Sequence, residues 1–166
     1  IRGLNPDLEL KHRVVSTAGD RDRKTSLRDI SGDAAFAKEL ETALLNNEID
    51  LAVHSLKDVR TTLPEGLRLA AVPKREEIRD ALCGASLEEL RRGARVGTGS
   101  PRRQAQLLHL RPDIEVVPIR GNVPPRLRRI RGSNPLDAVI LAAAGLRRLG
   151  MEEHITELLP LEKYPP

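Results

Sequence analysis

The amino-acid sequence predicts an α/β fold with mostly parallel sheets. Short apolar runs of strand length alternate with segments whose apolar residues recur at helical spacing, which is the order typical of α/β units. Of the 166 residues, 39% are hydrophobic and 31% are charged, which suits a folded chain of one ordinary domain or two small ones. Phe36 and Tyr164 are the only aromatic residues, so we expect a core of leucine, valine, isoleucine and alanine.

The first part of the chain, up to Pro73, predicts one lobe. Apolar spacing predicts its strands and its helix, and a stretch rich in Gly, Asp, Arg and Ser predicts a mobile loop. In chain order these elements are a strand at 9–17, the loop at 18–33, an amphipathic helix at 34–47 that stops at Asn46-Asn47, and buried strands at 49–53 and 67–72.

A charged, proline-marked stretch at residues 73–77 predicts a hinge to a second lobe. Ser86 and Glu89 match a capping box, and Ser100-Pro101 combines a helix cap with proline at the first helical position. The elements predicted in this lobe are strands at 95–97, 114–119 and 138–141 and helices at 101 onward, 123–131, 143–149 and 153–159.

The composition of the chain limits the kinds of molecule that it could bind. The net charge of +4, carried mainly by arginine, is the ordinary sign of a solvated basic surface, and the alternative is an anionic partner. Readers of single-stranded nucleic acid use stacking aromatics, which this chain lacks, so small polyanions are the better candidates. The sequence shows no apolar run of membrane-spanning length and no signal peptide, and its single cysteine, Cys83, fits a reducing compartment. The four histidines are scattered, so no metal site has credible spacing.

Polar and basic side chains follow three of the predicted strands. In an open parallel sheet, ligands bind beyond the carboxyl ends of the strands, so these segments form the candidate site. They run from His54 to Asp58, from Gly97 to Arg103, and from Arg120 to Asn122, with Arg126 one helical turn further on.

The second segment has the most informative chemistry. Its glycines let the backbone approach a ligand, and a helix that begins at Pro101 offers free N–H groups to an anion. Thr98 and Ser100 add hydroxyl donors, while Arg102 and Arg103 add forked guanidinium groups that match carboxylates or phosphates. A capped helix with two solvated arginines is the alternative.

Asp58 differs from the other candidates because it is a carboxylate beside Lys57 in basic surroundings, which favour its ionised form. An ionised carboxylate stabilises a developing positive charge or shuttles a proton, provided that the substrate carries a cation or an N–H donor. The alternative is a surface ion pair between Lys57 and Asp58.

The same segments resemble the hydroxymethylbilane synthases, a family also called porphobilinogen deaminases, in order over residues 14–160. Several of the shared motifs are long and specific. They include Asp50-Leu51-Ala52-Val53-His54-Ser55-Leu56-Lys57-Asp58, Val96-Gly97-Thr98, Arg102-Arg103-Gln104-Ala105-Gln106-Leu107, Arg120-Gly121-Asn122-Val123 and Leu141-Ala142-Ala143-Ala144-Gly145-Leu146.

The resemblance implies a fold of three domains, two of them like periplasmic binding proteins. It divides this chain into a partial first domain at 1–73, a hinge at 74–79, the second domain at 80–164 and the start of a return hinge at 165–166, with the third domain absent. It also implies a cytoplasmic monomer of tetrapyrrole and haem biosynthesis, and we expect no nucleic-acid or membrane partner.

The family condenses four porphobilinogen molecules into hydroxymethylbilane on a covalent dipyrromethane cofactor and releases ammonia at each addition. The resemblance implies that Asp58 is the catalytic carboxylate. It further implies that polar and basic side chains bind the carboxylates of substrate and cofactor, namely Ser55, Lys57, Thr98, Ser100, Arg102, Arg103, Arg120 and Arg126.

The resemblance is incomplete, because the family's first strand and helix and the cysteine that carries dipyrromethane have no counterpart here, and Cys83 does not match that cysteine. Internal departures from the family pattern fall at Asp33, Arg60, Gly99, Pro124 and Pro125. We therefore expect this chain alone to be inactive. The alternative from another class is a two-lobed module that binds a small polycarboxylate without chemistry, and such a module would tolerate Asp58→Asn.

Overall fold

A computed structural model describes residues 3, 5–15, 37–131, 133 and 135–166 of the protein. The chain divides into two compact units, Ile1–Val72 and Pro73–Pro166, and each is described by itself. The predicted loop at 18–33, the start of the predicted helix at 34–36 and the family departure at Asp33 lie outside the described residues.

The first unit contains one described α-helix, α1 (Lys38–Leu45), and a 3-10 turn, Leu56–Asp58. Helix α1 ends as predicted at the two asparagines. Asn47 adopts a left-handed φ of 56°, which asparagine tolerates better than most residues, and its N–H donates to Leu44 O at 3.0 Å. The adjacent Asn46 N–H donates to Thr42 O at 3.0 Å.

The described residues of the first unit form no β-strand, so the strands predicted at 9–17, 49–53 and 67–72 are wrong as far as those segments are described. Their apolar residues are largely outside the core, since Val53 is 87% exposed and Val72 is 66% exposed. A strand needs a neighbour that accepts and donates ladder hydrogen bonds, and an apolar run by itself supplies only the extended conformation.

The second unit is built on a five-stranded sheet in the spatial order β3-β2-β4-β1-β5. Strands β2 and β3, and β2 and β4, pair in parallel, whereas β1 is antiparallel to both β4 and β5. Four strands therefore run in one direction and β1 opposes them, which confirms a mixed α/β fold with a mostly parallel sheet. The strands are β1 (Asp80–Cys83), β2 (Arg95–Gly97), β3 (Glu115–Val117), β4 (Ala138–Ala142) and β5 (Glu157–Leu158).

Three α-helices connect or follow the strands, namely α2 (Pro101–Leu110), α3 (Val123–Arg128) and α4 (Ala143–Arg148). The helix predicted at 153–159 is wrong. A 3-10 turn, Glu152–His154, is followed by β5, which pairs with β1 through Ala81 and Leu158. Edge pairing to a buried strand outweighs the weak helical propensity of such a short segment.

Strand β1 has no counterpart in the sequence prediction, although all four of its residues are buried. Its three apolar residues are fewer than a periodicity argument needs. The core on which it packs is aliphatic apart from Tyr164 and Cys83, as expected from the composition. Two clusters form this core, one that includes Leu82, Val96, Leu107, Ile140, Leu159 and Tyr164, and one that includes Cys83, Ile119, Leu136, Val139, Leu141 and Leu146.

Candidate active site

The carboxyl ends of β2, β3 and β4 meet at one edge of the sheet, as parallel pairing requires. The antiparallel strand β1 begins at that same edge, because Asp80 is paired with Ala142, the last residue of β4. The residues predicted for the second and third segments of the site follow β2 and β3. Unit 2 therefore brings basic side chains and the Asp80 carboxylate to the edge where an open α/β sheet binds its ligands.

Thr98 and Ser100 fix the backbone where β2 passes into α2. Thr98 is 3% exposed, and its N–H donates to Val117 O at 3.0 Å while its O accepts from Ile119 N at 3.3 Å. Ser100 caps α2, because its Oγ accepts from Arg103 N at 3.4 Å with Pro101 at the first helical position. The predicted cap is confirmed, and both hydroxyls serve the backbone, since Thr98 Oγ1 accepts from Ser100 N at 3.2 Å.

Gly97 is required by core packing, because the neighbouring side chains leave no room for a Cβ atom. A Cβ at this position would lie 2.6 Å from Leu136 Cδ1, 2.9 Å from Ile119 Cδ1 and 3.1 Å from Val139 Cγ1. These three side chains are buried in one of the two core clusters. The expectation that Gly97 gives a ligand access to the backbone is therefore wrong for this glycine, because core side chains fill the space.

Arg102 and Arg103 share one buried carboxylate. Asp80 Oδ2 accepts from Arg102 Nη2 at 2.8 Å, and Asp80 Oδ1 accepts from Arg103 Nη2 at 2.6 Å. The Asp80 side chain is 4% exposed, whereas those of Arg102 and Arg103 are 37% and 13% exposed. Arg102 Nη1 also donates to Gln106 Oε1 at 2.8 Å and to Pro165 O at 2.7 Å. The alternative of two solvated arginines is excluded by these contacts.

Three arginines interact at this edge and are called here the arginine cluster: Arg103, Arg120 and Arg126. Burial, and then the positive charges of Arg103 and Arg120, lower the pKa of Arg126 below its ordinary value. Arg126 Nε donates to Gly121 O at 2.7 Å, which fixes the side chain against the loop that precedes α3. Like charges held close together in a partly buried place favour the binding of an anion.

The first of the three predicted segments lies in the first unit, around the 3-10 turn. Asp58 N donates to Ser55 O at 2.9 Å, which closes the turn. Asp58 is half-buried, whereas Ser55 and Lys57 are exposed. Among the described residues, Asp58 and Lys57 form no ion pair with each other or with any other side chain, so the alternative of a surface Lys–Asp pair is not what forms here.

A family model described as "Porphobilinogen deaminase, dipyromethane cofactor binding domain" matches residues 2–166. The chain belongs to the porphobilinogen deaminase family. One relative named porphobilinogen deaminase, from Syntrophus aciditrophicus, is 47% identical over 100% of this chain and 55% of that protein. Another, from Trichlorobacter lovleyi, is 52% identical over 93% of this chain and 50% of that protein. Pelobacter propionicus has another, 51% identical over 95% of this chain and 51% of that protein. The chain thus spans about half the length of these deaminases.

Sequence reasoning missed Asp80, which binds two of the predicted arginines. The sequence shows only that Asp80 is a charged residue directly before three apolar residues, Ala81-Leu82-Cys83. Its role becomes clear from the pairing of β1 with β4, which brings Asp80 to the edge of the sheet. Gln106 was also missed, although it stands one helical turn after Arg102 and its Nε2 donates to Pro165 O at 2.7 Å.

Three departures from the deaminase pattern have local structural reasons. Pro124 and Pro125 lie in the first turn of α3, after the N-cap residue Asn122, where a backbone N–H has no partner within the helix. The third departure, Arg60, places its Nε 3.4 Å from Glu41 Oε1 of α1.

Cys83 is fully buried in β1, and this burial raises its pKa to about 11. The described residues hold no cluster of three histidine, cysteine, aspartate or glutamate side chains suited to a metal ion. In the same part of the chain, no helix is both long and apolar enough to cross a membrane.

Proposed function

We propose that the protein containing this chain condenses porphobilinogen into the linear tetrapyrrole hydroxymethylbilane, with release of ammonia. The observation that carries this proposal is the arginine cluster at the carboxyl edge of the sheet, in a chain of the porphobilinogen deaminase family. Porphobilinogen carries acetate and propionate carboxylates. Guanidinium groups bind carboxylates in a bidentate way, so a cluster of three suits a ligand with several carboxylates.

Asp58 is the proposed catalytic carboxylate. In each addition, the C–N bond of the aminomethyl group breaks and ammonia leaves, which gives a cationic methylene-pyrrole. A pyrrole carbon of the growing chain then attacks this methylene group, a C–C bond forms, and the attacked ring loses its proton. A half-buried carboxylate without an ion-pair partner among the described residues is suited to hold pyrrole N–H groups and to stabilise the cation.

The residues present fit a dipyrromethane cofactor, whose side chains are also carboxylates. Arg103, Arg120 and Arg126, with Arg102 beside them, would bind these groups, and Thr98, Ser100, Ser55 and Lys57 are the proposed further polar contacts. Arg103 Nε supports this assignment, because it is buried without a hydrogen-bond partner and so leaves part of the guanidinium uncompensated. When bound, dipyrromethane supplies the primer on which the tetrapyrrole grows. Cys83 is not its attachment point, because its side chain is fully buried.

The finer architecture and setting are part of the same proposal. The two units would correspond to two lobes like those of periplasmic binding proteins, in a cytoplasmic monomer without a nucleic-acid or membrane partner. The sparse aromatic content supports the absence of nucleic-acid readout. A binding module without chemistry is not favoured, because the matched relatives are named as deaminases.

The test combines a binding assay with a turnover assay. Porphobilinogen binding is measured by calorimetry, and hydroxymethylbilane formation is measured in the native protein, for wild type, Asp58→Asn, Arg126→Gln and the control Asp50→Asn, which changes an exposed carboxylate of the same unit. We expect Asp58→Asn to bind porphobilinogen within about threefold of wild type and to lose turnover by about 10² or more. Arg126→Gln should weaken binding by about tenfold or more, the equivalent of one charge-assisted hydrogen bond. Full turnover in Asp58→Asn, or unchanged binding in Arg126→Gln, refutes the proposal.

A further inference from the structure

We infer that Asp80 is a positioning residue that orients the carboxylate-binding arginines, an inference that rests on the proposed function. Asp80 opens β1 opposite Ala142, at the sheet edge that carries the arginine cluster. The strand fixes Asp80 from both sides, since its backbone O accepts from Leu159 N at 2.8 Å while β4 pairs along its other edge. The carboxylate therefore has a defined position before any ligand arrives.

Each oxygen of the Asp80 carboxylate holds one guanidinium group. Oδ1 lies 2.6 Å from Arg103 Nη2, and Oδ2 lies 2.8 Å from Arg102 Nη2. Both distances are those of charge-assisted hydrogen bonds. Since Arg102 and Arg103 are consecutive residues in the first turn of α2, a single carboxylate fixes the side-chain conformations of both.

Arg103 needs such an anchor because its neighbours repel it. The positive charges of Arg103 and Arg120 both act on Arg126, so the three guanidinium groups would move apart if nothing held them. The other anchoring of Arg103 is weak, since Nη1 lies 3.5 Å from Ile140 O and the buried Nε has no hydrogen-bond partner. Asp80 is the group that holds Arg103 against this repulsion.

Arg102 extends the same arrangement to a third segment. Its Nη1 donates to Pro165 O at 2.7 Å, and Gln106 Nε2 donates to the same oxygen at 2.7 Å. Asp80 thereby links β1, α2 and the chain around Pro165. A buried ion pair is weak evidence for stability, because its desolvation offsets much of its attraction, so we assign Asp80 to orientation rather than to folding.

The test measures porphobilinogen binding to Asp80→Asn by calorimetry. Asparagine keeps the size of the side chain but adds one net positive charge to the site, so attraction alone would tighten the binding of a polycarboxylate. If Asp80 positions the arginines, binding becomes weaker instead, and the Kd for porphobilinogen rises about tenfold or more.

The matched control is Asp137→Asn. Asp137 also holds an arginine of unit 2, with Oδ1 3.4 Å from Arg91 Nε, and its Oδ2 accepts from Arg95 N at 2.7 Å, where β2 begins. This control should leave Kd within about twofold of wild type.

Two measurements distinguish an effect on side-chain orientation from an effect on folding. Thermal unfolding reports the stability of each variant, and the NMR signal of Arg103 Nε–Hε reports the position of the guanidinium group. We expect that signal to move or broaden in Asp80→Asn and to be unchanged in Asp137→Asn, whatever stability each variant loses. If Asp80→Asn binds porphobilinogen as tightly as wild type or more tightly, or if its Arg103 signal is unchanged, the inference is overturned. If the wild-type native protein does not bind porphobilinogen, the proposed function fails, and the Arg103 signal still decides the role of Asp80.

A second variant covers the case in which Asp80→Asn does not fold. Asp80→Glu keeps the charge and moves the carboxylate by one methylene group. Orientation then predicts weaker porphobilinogen binding at unchanged net charge, by about threefold or more. Binding equal to that of wild type contradicts the inference.

Discussion

Replacing Gly97 by alanine tests whether the edge of the sheet is set by core packing. The added Cβ would lie 2.6 Å from Leu136 Cδ1, 2.9 Å from Ile119 Cδ1 and 3.1 Å from Val139 Cγ1. Carbon atoms in good contact are about 3.5–4.0 Å apart, so the closest neighbour must move by about 1 Å. Leu136 and Ile119 are 2% and 3% exposed, so neither side chain can turn into solvent.

Overpacking of this kind costs roughly 1–3 kcal/mol. In a unit the size of Pro73–Pro166, each kcal/mol shifts Tm by about 4–8 °C, so a loss of about 2 kcal/mol lowers Tm by about 8–16 °C. Ile119 directly precedes Arg120, so we also expect weaker porphobilinogen binding. Calorimetric unfolding of the native protein measures the change in Tm, and its titration with porphobilinogen measures the change in binding.

Gly145→Ala is the matched control, because the same substitution at this position is expected to raise the stability of the protein. Its Cβ would meet only Val123 Cγ2, at an ordinary 3.5 Å, and Gly145 lies within α4. Replacing a helical glycine by alanine gains about 0.5–1 kcal/mol, so Tm should rise by a few degrees. A Gly97→Ala variant with a Tm equal to or above that of wild type refutes the packing argument.

Three further predictions concern unit 2. Hydrogen bonds from Arg111 and Arg79 hold the pKa values of Asp113 and Glu77 at about 2, below their unfolded values of about 4, so stability should be complete above about pH 5 and fall towards pH 2. Thermal unfolding against pH checks this, and Asp113→Asn or Glu77→Gln should flatten the profile. Arg111→Met, which loses the Asp113 pair and bonds to two backbone carbonyls, should lower the unfolding free energy in urea by about 2 kcal/mol or more. Because burial raises the pKa of the Cys83 thiol to about 11, iodoacetamide should label it at least tenfold faster in denaturant than in the native chain, and rapid native labelling would contradict its burial.

The sequence by itself determined the features that depend on neighbouring residues. The cap at Ser100, the helix stop at Asn46-Asn47 and the strands β2, β3 and β4 follow from local hydrogen bonding and apolar spacing. The polar residues after β2 and β3 could be assigned to one edge, because parallel strands end at the same side of a sheet. The family itself was recognisable from motifs such as Arg120-Gly121-Asn122-Val123.

Only the tertiary structure decided what depends on pairing between distant segments. It placed β1 antiparallel between β4 and β5, which brought Asp80 to the basic edge, converted a predicted helix into β5 and surrounded Gly97 with core side chains. It also left the apolar runs of the first unit unpaired among the described residues. The direction and order of the strands and the packing of side chains depend on the total free energy of contacts between residues that are far apart in the chain. A local sequence pattern does not contain this information.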